Sequence, residues 1–280
     1  MYGIVKLKWL QYLFFGAKNL LGLQNWFSQK EHNFFNAGIL FEGYTLTNKV
    51  VTKEQLQCDS LVILDRPFIG LLFGMLESTY TFERSFFTAG VLLGIMGPSS
   101  GAGRLQRWIH DNVSQGDVFD AWRFQLPNQL ILNFSGQYVY DFMPENNRFD
   151  IYRALHARIG NLYIVTGPTL GFRIGRFNEI HKTVALGGEL LAGKSDWELY
   201  AHSTFSTTLA FFDGTAQGRL FGPKFEYALD EINPLYLAMS HGIYFAYRRV
   251  VISFDHFFTL GKVVEKKRHI YARMEFRFRF

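Results

Sequence analysis

The stretch Gln129-Leu-Ile-Leu-Asn-Phe-Ser-Gly-Gln-Tyr-Val-Tyr-Asp-Phe142 decides the fold. Leu130, Leu132, Phe134, Gly136, Tyr138, Tyr140 and Phe142 fall on one parity, and Gln129, Asn133, Ser135, Gln137 and Asp141 on the other. Successive side chains of a strand point to opposite faces, so a period of two over fourteen residues describes a long strand with one apolar and one polar face. The pattern recurs. Trp197, Leu199, Ala201, Phe205, Leu209 and Phe211 alternate with Glu198, Tyr200, His202, Thr204, Ser206 and Thr208. Leu162, Ile164, Leu170, Phe172 and Ile174 alternate with Tyr163, Thr169, Gly171 and Arg173. At the C-terminus Ile270, Ala272, Met274, Phe276, Phe278 and Phe280 oppose Arg273, Glu275, Arg277 and Arg279.

Working outward, runs of this kind place candidate strands near 18–27, 34–47, 69–81, 85–97, 128–142, 149–158, 161–175, 183–193, 195–212, 218–229, 235–248, 249–261 and 268–280. They are longer than the five or six residues common in soluble sheets and match the about 9–11 residues of a tilted transmembrane strand. Alternation alone also fits a soluble sheet with one wet face. Two further features favour lipid. The 280 residues include 30 Phe, 14 Tyr and 5 Trp, while mean hydropathy is only +0.01. The last strand also ends on alternating Phe up to Phe280. An open sheet edge in lipid would strand N–H and C=O groups at several kcal/mol each, so such strands must close. The expected fold is an all-β transmembrane antiparallel barrel of about 12 strands, since single-chain bacterial barrels have even numbers.

Composition excludes other classes. The balance of apolar and charged residues is not that of a disordered chain. The single Cys58 cannot form an intrachain disulfide. Net charge is +5, but the 29 Lys and Arg are scattered, so the basic stripe of a nucleic-acid binder is missing. The longest uncharged run, Phe86 to Gly103, is broken by Gly-Pro-Ser-Ser-Gly and is no membrane helix. Residues 1–17 have the order of a secretory signal, with Lys6 and Lys8 before an apolar run, but a short apolar core and a poor cleavage site. They read as a signal segment or a truncated start, with 18–280 as one barrel domain.

One segment breaks the strand pattern. Ser99-Ser-Gly-Ala-Gly-Arg-Leu-Gln-Arg-Trp-Ile-His-Asp-Asn112 reads as a short helix near the rim, with Ser99 or Ser100 as N-cap. Gln106 and His110, four apart, share a face of it. No Lys stands in the glycine-rich stretch 97–103 as a phosphate loop requires.

Four ordered motifs surround this segment: Asp65-Arg66-Pro67-Phe68-Ile69-Gly70; Gly94-Ile-Met-Gly97-Pro98 with Gln106-x3-His110 after it; Trp122-x2-Gln125-Leu126-x-Asn128; and Gly160-Asn161. Together they resemble the lipid A 3′-O-deacylase family of bacterial outer-membrane barrels. The resemblance implies a twelve-stranded, calcium-dependent enzyme that hydrolyses the ester of the 3′-linked acyloxyacyl chain of lipid A in the outer leaflet. It places His110 at the catalytic histidine and Asn25 at the Asn of the first strand. With Asn36 and Gln106 these make the expected catalytic set. A histidine suits the task, because a general base works best with a pKa near the operating pH.

Arg66, Lys49, Lys53 and Gln125 are candidate substrate-binding residues, the cations for lipid phosphates and the amide for hydrogen bonding. Structural roles compete: Arg66 could hold its own loop, exposed lysines solubilise, and Gln106 and Gln125 could simply bond within the barrel. Asp111 and Asp117 are candidate oxygen ligands for calcium, which prefers carboxylate-rich sites. The chain departs from the family at two positions. Trp26 stands where the family has an acidic residue after its Asn, and Asn36 where it has the Thr of Tyr-Thr-x-Gly. Hence the second reading is a non-catalytic barrel that has lost the site. A soluble lipid-binding barrel is the third. The expected partner is lipid A in the outer membrane, with the protein a monomer.

Overall fold

The computed structural model describes residues 32–44, 67–109, 111–112, 122, 124–187, 197–248, 250–262 and 268–278. The described residues form one antiparallel sheet in which each strand pairs with its neighbour in sequence. The strands are β1 (His32–Tyr44), β2 (Ile69–Thr81), β3 (Ser85–Met96), β4 (Gln129–Asp141), β5 (Phe149–Gly160), β6 (Tyr163–Arg176), β7 (Trp197–Asp213), β8 (Leu235–Tyr247), β9 (Val250–Leu260) and β10 (Arg268–Phe278). Helix α1 (Ala102–Ile109) comes after β3, and a single turn, α2 (Gly214–Gln217), after β7. The register is continuous along almost every pair, with one shift at Ile164/Val165 between β6 and β7.

Burial separates a membrane sheet from a soluble one. The exposed side chains are the apolar ones: Leu130 is 74% accessible and Phe211 70%, with Leu132, Phe134, Leu199, Phe205, Ile243, Met274 and Phe276 also open. The opposite parity hides Asn133, Glu198 and Arg173, all 1% accessible or less, together with Asp141, Asp150, His202, Asp255 and Glu275. A water-soluble sandwich would bury the first set and wet the second, because transfer of apolar area from water is the main driving force of folding. This sheet does the reverse, so its outer face is made for hydrocarbon. Phe205, midway along β7, should therefore tolerate no charge. Phe205→Arg is expected to cost about 2–4 kcal/mol at the bilayer midplane, read from reversible folding into lipid vesicles. A cost below about 1 kcal/mol, the interfacial value, would put Phe205 away from lipid.

The inner face is held by charge. The Arg173 guanidinium donates through Nε to Asp150 at 2.8 Å, lies 3.9 Å from Asp141, and donates through Nη1 to the Asn178 carbonyl at 3.0 Å. Glu198 accepts from the backbone N–H groups of Asn178 (2.8 Å) and Val184 (3.0 Å). The Tyr200 hydroxyl bonds the Thr183 hydroxyl and accepts from the Ala185 N–H. Further along, Tyr152 meets His202 at 2.8 Å, and Tyr244 and Arg273 both donate to Asp255. These contacts fold residues 177–187 against the inner face, where Phe177, Ile180 and Val184 are buried.

Two candidate strands take another form. Residues 183–187 turn through a short 3-10 helix (Val184–Leu186) closed by left-handed Gly187, because inner-face acceptors satisfy their backbone. The remainder of 183–193 lies outside the described residues. Residues 218–229 make turns, not a strand. Gly218 and Gly222 have positive φ, Pro223 offers no N–H to a ladder, and Phe225 and Ala228 pack on the inner cluster of Ile69, Leu71, Phe73, Met96, Leu126, Ile131 and Leu162. The candidate strand 18–27 and Phe280 lie outside the described residues.

Candidate functional site

The site is built where β3 ends. Gly97, at φ 100, turns the chain off the wall while its N–H bonds back to the Gly70 carbonyl at 2.8 Å. The turn Pro98–Ser100 is pinned by the Asn128 side chain, which accepts the Ser99 N–H at 2.8 Å. Ser100 makes the capping contact, its hydroxyl accepting from the Ala102 N–H at 3.4 Å, across an intervening Gly101.

Helix α1 lies on the outer side of the wall. Gly70 shares its side of β2 with exposed Gly74 and Leu76, whereas Ile69 and Leu71 point into the inner cluster. A β-carbon at Gly70 would stand 2.6 Å from the Ala102 methyl, so only glycine lets the helix approach this closely. Ala102 is buried against the wall, Gln106 is half-buried, and Arg104, Leu105, Arg107 and Trp108 are exposed. Asn112 donates to the Trp108 carbonyl at 2.8 Å just past the helix.

The returning segment locks the helix to β2. Leu126 N–H donates to the Phe68 carbonyl at 2.9 Å, and Gln125 bridges Phe68 in parallel. Trp122 packs edge-on against Phe68, ring centroids 5.6 Å apart, and its indole N–H donates to Gln106 Oε1 at 3.0 Å. Gln125 Oε1 is buried without a hydrogen-bond partner. Asn161 closes the β5–β6 turn by accepting from Leu132 N–H and donating to the Leu130 carbonyl. Loop 218–234 reaches the same corner through Tyr227, edge-on to Phe124 at 5.3 Å. In that loop, the Lys224 ammonium 2.7 Å from Asp230 holds the exposed carboxyl below its ordinary range.

Of the sequence candidates, Gln106 and Gln125 are thus brought to one corner, both through Phe68 and Trp122. Asp111 is exposed just beyond α1. Asn36 lies in β1 opposite Glu77 of β2. Asn25, Lys49, Lys53, Arg66, His110 and Asp117 lie outside the described residues. Trp122, Asn128 and Asn161 stand out in the sequence only as motif members. Their work is structural and local, and its one signal is their place in motifs flanking the helix.

An antiparallel wall with hydrocarbon-compatible outer side chains, a charged interior and a rim helix clamped to its outside defines an outer-membrane-type β-barrel. The family model for the outer membrane protein LpxR matches residues 14–280, and the chain belongs to that family. Among solved structures the chain resembles LpxR from Salmonella typhimurium, with a TM-score of 0.74, 17% identity and coverage of 89% of this chain and 84% of that one. That likeness establishes a shared fold. No curated protein sequence matches the chain.

Proposed function

We propose that this protein is an outer-membrane hydrolase that removes the 3′-linked acyloxyacyl chain from lipid A. The observation that carries the reading is α1 on the outer side of the wall. The connections 45–68, 97–128 and 214–234 leave from the helix end, with the shorter 161–162 and 261–267; the short turns 82–84, 142–148 and 248–249 leave from the opposite end, with the longer 177–196, whose first part folds onto the inner face. Outer-membrane barrels keep short turns in the periplasm and longer loops outside. In that orientation, which the greater length of most helix-end connections supports, α1 and Gln106 would stand at the outer leaflet beside the acyl chains and phosphates of the lipid.

In the proposed chemistry His110, four residues after Gln106 in the chain, takes a proton from water as the water oxygen bonds to the ester carbonyl carbon. The tetrahedral intermediate then breaks the bond to the sugar oxygen, which receives the proton from His110, and the acyl chain leaves as a carboxylic acid that releases its remaining proton to solvent. Gln106, Asn25 and Asn36 belong to this catalytic set in the proposal. Arg66, Lys49 and Lys53 would meet lipid phosphates, and Gln125 would bind the substrate through its amide. Asp111 is exposed, and among the described residues no three His, Cys, Asp or Glu side chains group closely enough to hold an ion. Asp117 lies outside the described residues, so Asp111 and Asp117 remain the proposed oxygen ligands for a cation that takes 6–8 oxygens, and no step here runs through calcium.

Trp26 and Asn36, where the family has an acidic residue and Thr, favour the second reading of a barrel that has lost catalysis. One experiment separates them. The reconstituted protein is incubated with lipid A, with calcium and with chelator, and lipid mass is monitored. Loss of one acyloxyacyl unit is expected. Unchanged lipid A, under conditions where a family member that keeps the acidic residue and the Thr changes it, would overturn the hydrolase and leave the non-catalytic barrel.

A further inference from the structure

We propose that the outward face of β7–β9 is the surface through which two copies of this chain pair within the membrane, with His241 and His256 at its centre. The pairing depends only on the lipid-facing wall, whether or not lipid A is cut.

Three polar side chains interrupt the hydrocarbon face in one row. Ser203 of β7 stands opposite His241 of β8, His241 opposite His256 of β9, and His256 opposite Ala272 of β10. They share the parity of exposed Leu199, Phe205, Ile243, Phe254 and Met274, so they point outward. His241 sits at the middle of β8, with Leu237 and Met239 before it on this parity and Ile243 and Phe245 after it. His256 stands between Phe254 and Phe258. Both imidazoles therefore belong to the apolar band of the wall and not to its rims.

Lipid chains offer these rings nothing to bond. His241 meets the Ser203 hydroxyl through Nδ1 at 3.0 Å, which leaves Nε2 without a hydrogen-bond partner among the described residues, and neither ring nitrogen of His256 has one. Aromatic neighbours hold the rings in place: the Phe258 centroid is 4.4 Å from that of His256 and 6.1 Å from that of His241. An unbonded polar group is costly in hydrocarbon, and ionisable residues in membrane spans face a partner or a cavity. A second copy supplies the partner. A neutral imidazole carries one N–H donor and one acceptor nitrogen, so a histidine pair is complementary to itself. Copies inserted in the same direction pair about a two-fold axis along the membrane normal, which brings each group to its own depth on the other copy. Ala201 and Ala272, both exposed beside the histidines, let the two walls approach closely.

The test is made on the full-length chain in outer membranes, in a Cys58→Ser background. With a short bifunctional maleimide, Ala272→Cys should give a product of twice the chain mass, whereas Leu132→Cys, on the outward face of β4, should not. Adding His241→Leu/His256→Leu should lower the Ala272→Cys yield about tenfold, the loss expected of polar contacts between membrane spans. Leucine suits the hydrocarbon face, so this variant should keep the heat-dependent gel migration of a folded barrel. No product at Ala272→Cys overturns the proposal, and so does equal cross-linking at Leu132→Cys. A product of any other mass assigns the face to a different protein and overturns it as well. An undiminished yield in the double leucine variant would remove the histidines from the contact and sink the proposal by itself.

Discussion

Replacing His110 with alanine is expected to lower the rate of acyl release from lipid A by about 10²–10⁴-fold, the range that a positioned general base contributes. Water attacks an ester slowly unless its proton is removed as the new bond forms. Imidazole is the side chain whose ordinary pKa lets it do so near neutrality. His110 comes directly after α1, and α1 is clamped to the outer wall by Gly70, Trp122 and Asn128. The measurement is acyl release per folded protein, with folding checked by heat-dependent migration on gels. Activity retained within a few-fold would remove His110 from the mechanism.

The largest expected stability effect lies at the other end of the barrel. Arg173→Met should destabilise the folded protein by about 3–5 kcal/mol, the cost of leaving a buried charge without its partner. Asp150 and Asp141 both face this guanidinium, and Asp150 and Arg173 are no more than 1% accessible. The same side chain also donates to the Asn178 carbonyl and lies 4.1 Å over the Phe177 ring. Its loss should therefore release residues 177–187 as well as unbalance the carboxylates. Denaturant unfolding in micelles gives the first effect, and protease cutting near 177–187 the second. The double variant Arg173→Met/Asp150→Leu should recover part of the loss, because a buried pair replaced by apolar groups is often near neutral. A single-variant loss below about 1 kcal/mol, typical of exposed pairs, would show that this charge is hydrated.

Much of the wall is legible in the sequence for a simple reason. Alternation has a period of two, and so does a strand, so Gln129–Phe142 and Trp197–Phe211 announce both their conformation and their two faces. The two misread segments share a cause too. Residues 183–187, the described part of 183–193, and 218–229 contain enough apolar residues to look like strands, but the groups that hold them are distant. Glu198 and Tyr200 capture the start of the first, which carries no trace of that in its own sequence. Phe225 and Ala228 are apolar because they cover the inner cluster. At the site, the helix and the i, i+4 relation of Gln106 to His110 are visible, as local spacing is. The orientation of Gln106 is not, since its partner Trp122 is sixteen residues away.

By itself, the sequence determined the repeat of the wall and, through its aromatic excess, pointed to hydrocarbon as the solvent of one face. An aromatic excess with near-zero hydropathy results when one parity of each strand faces hydrocarbon and the other faces charge. Alternation alone could not choose between that arrangement and a soluble sheet, because it is symmetric about which face is inside. Tertiary structure broke the symmetry by burying Arg173, Asp150 and Glu198 and exposing Leu130 and Phe211. It also decided that α1 lies outside the wall and that the Gln106 oxygen is taken by Trp122. Contacts between distant segments select one of several locally equivalent conformations, and only the folded chain brings those segments together.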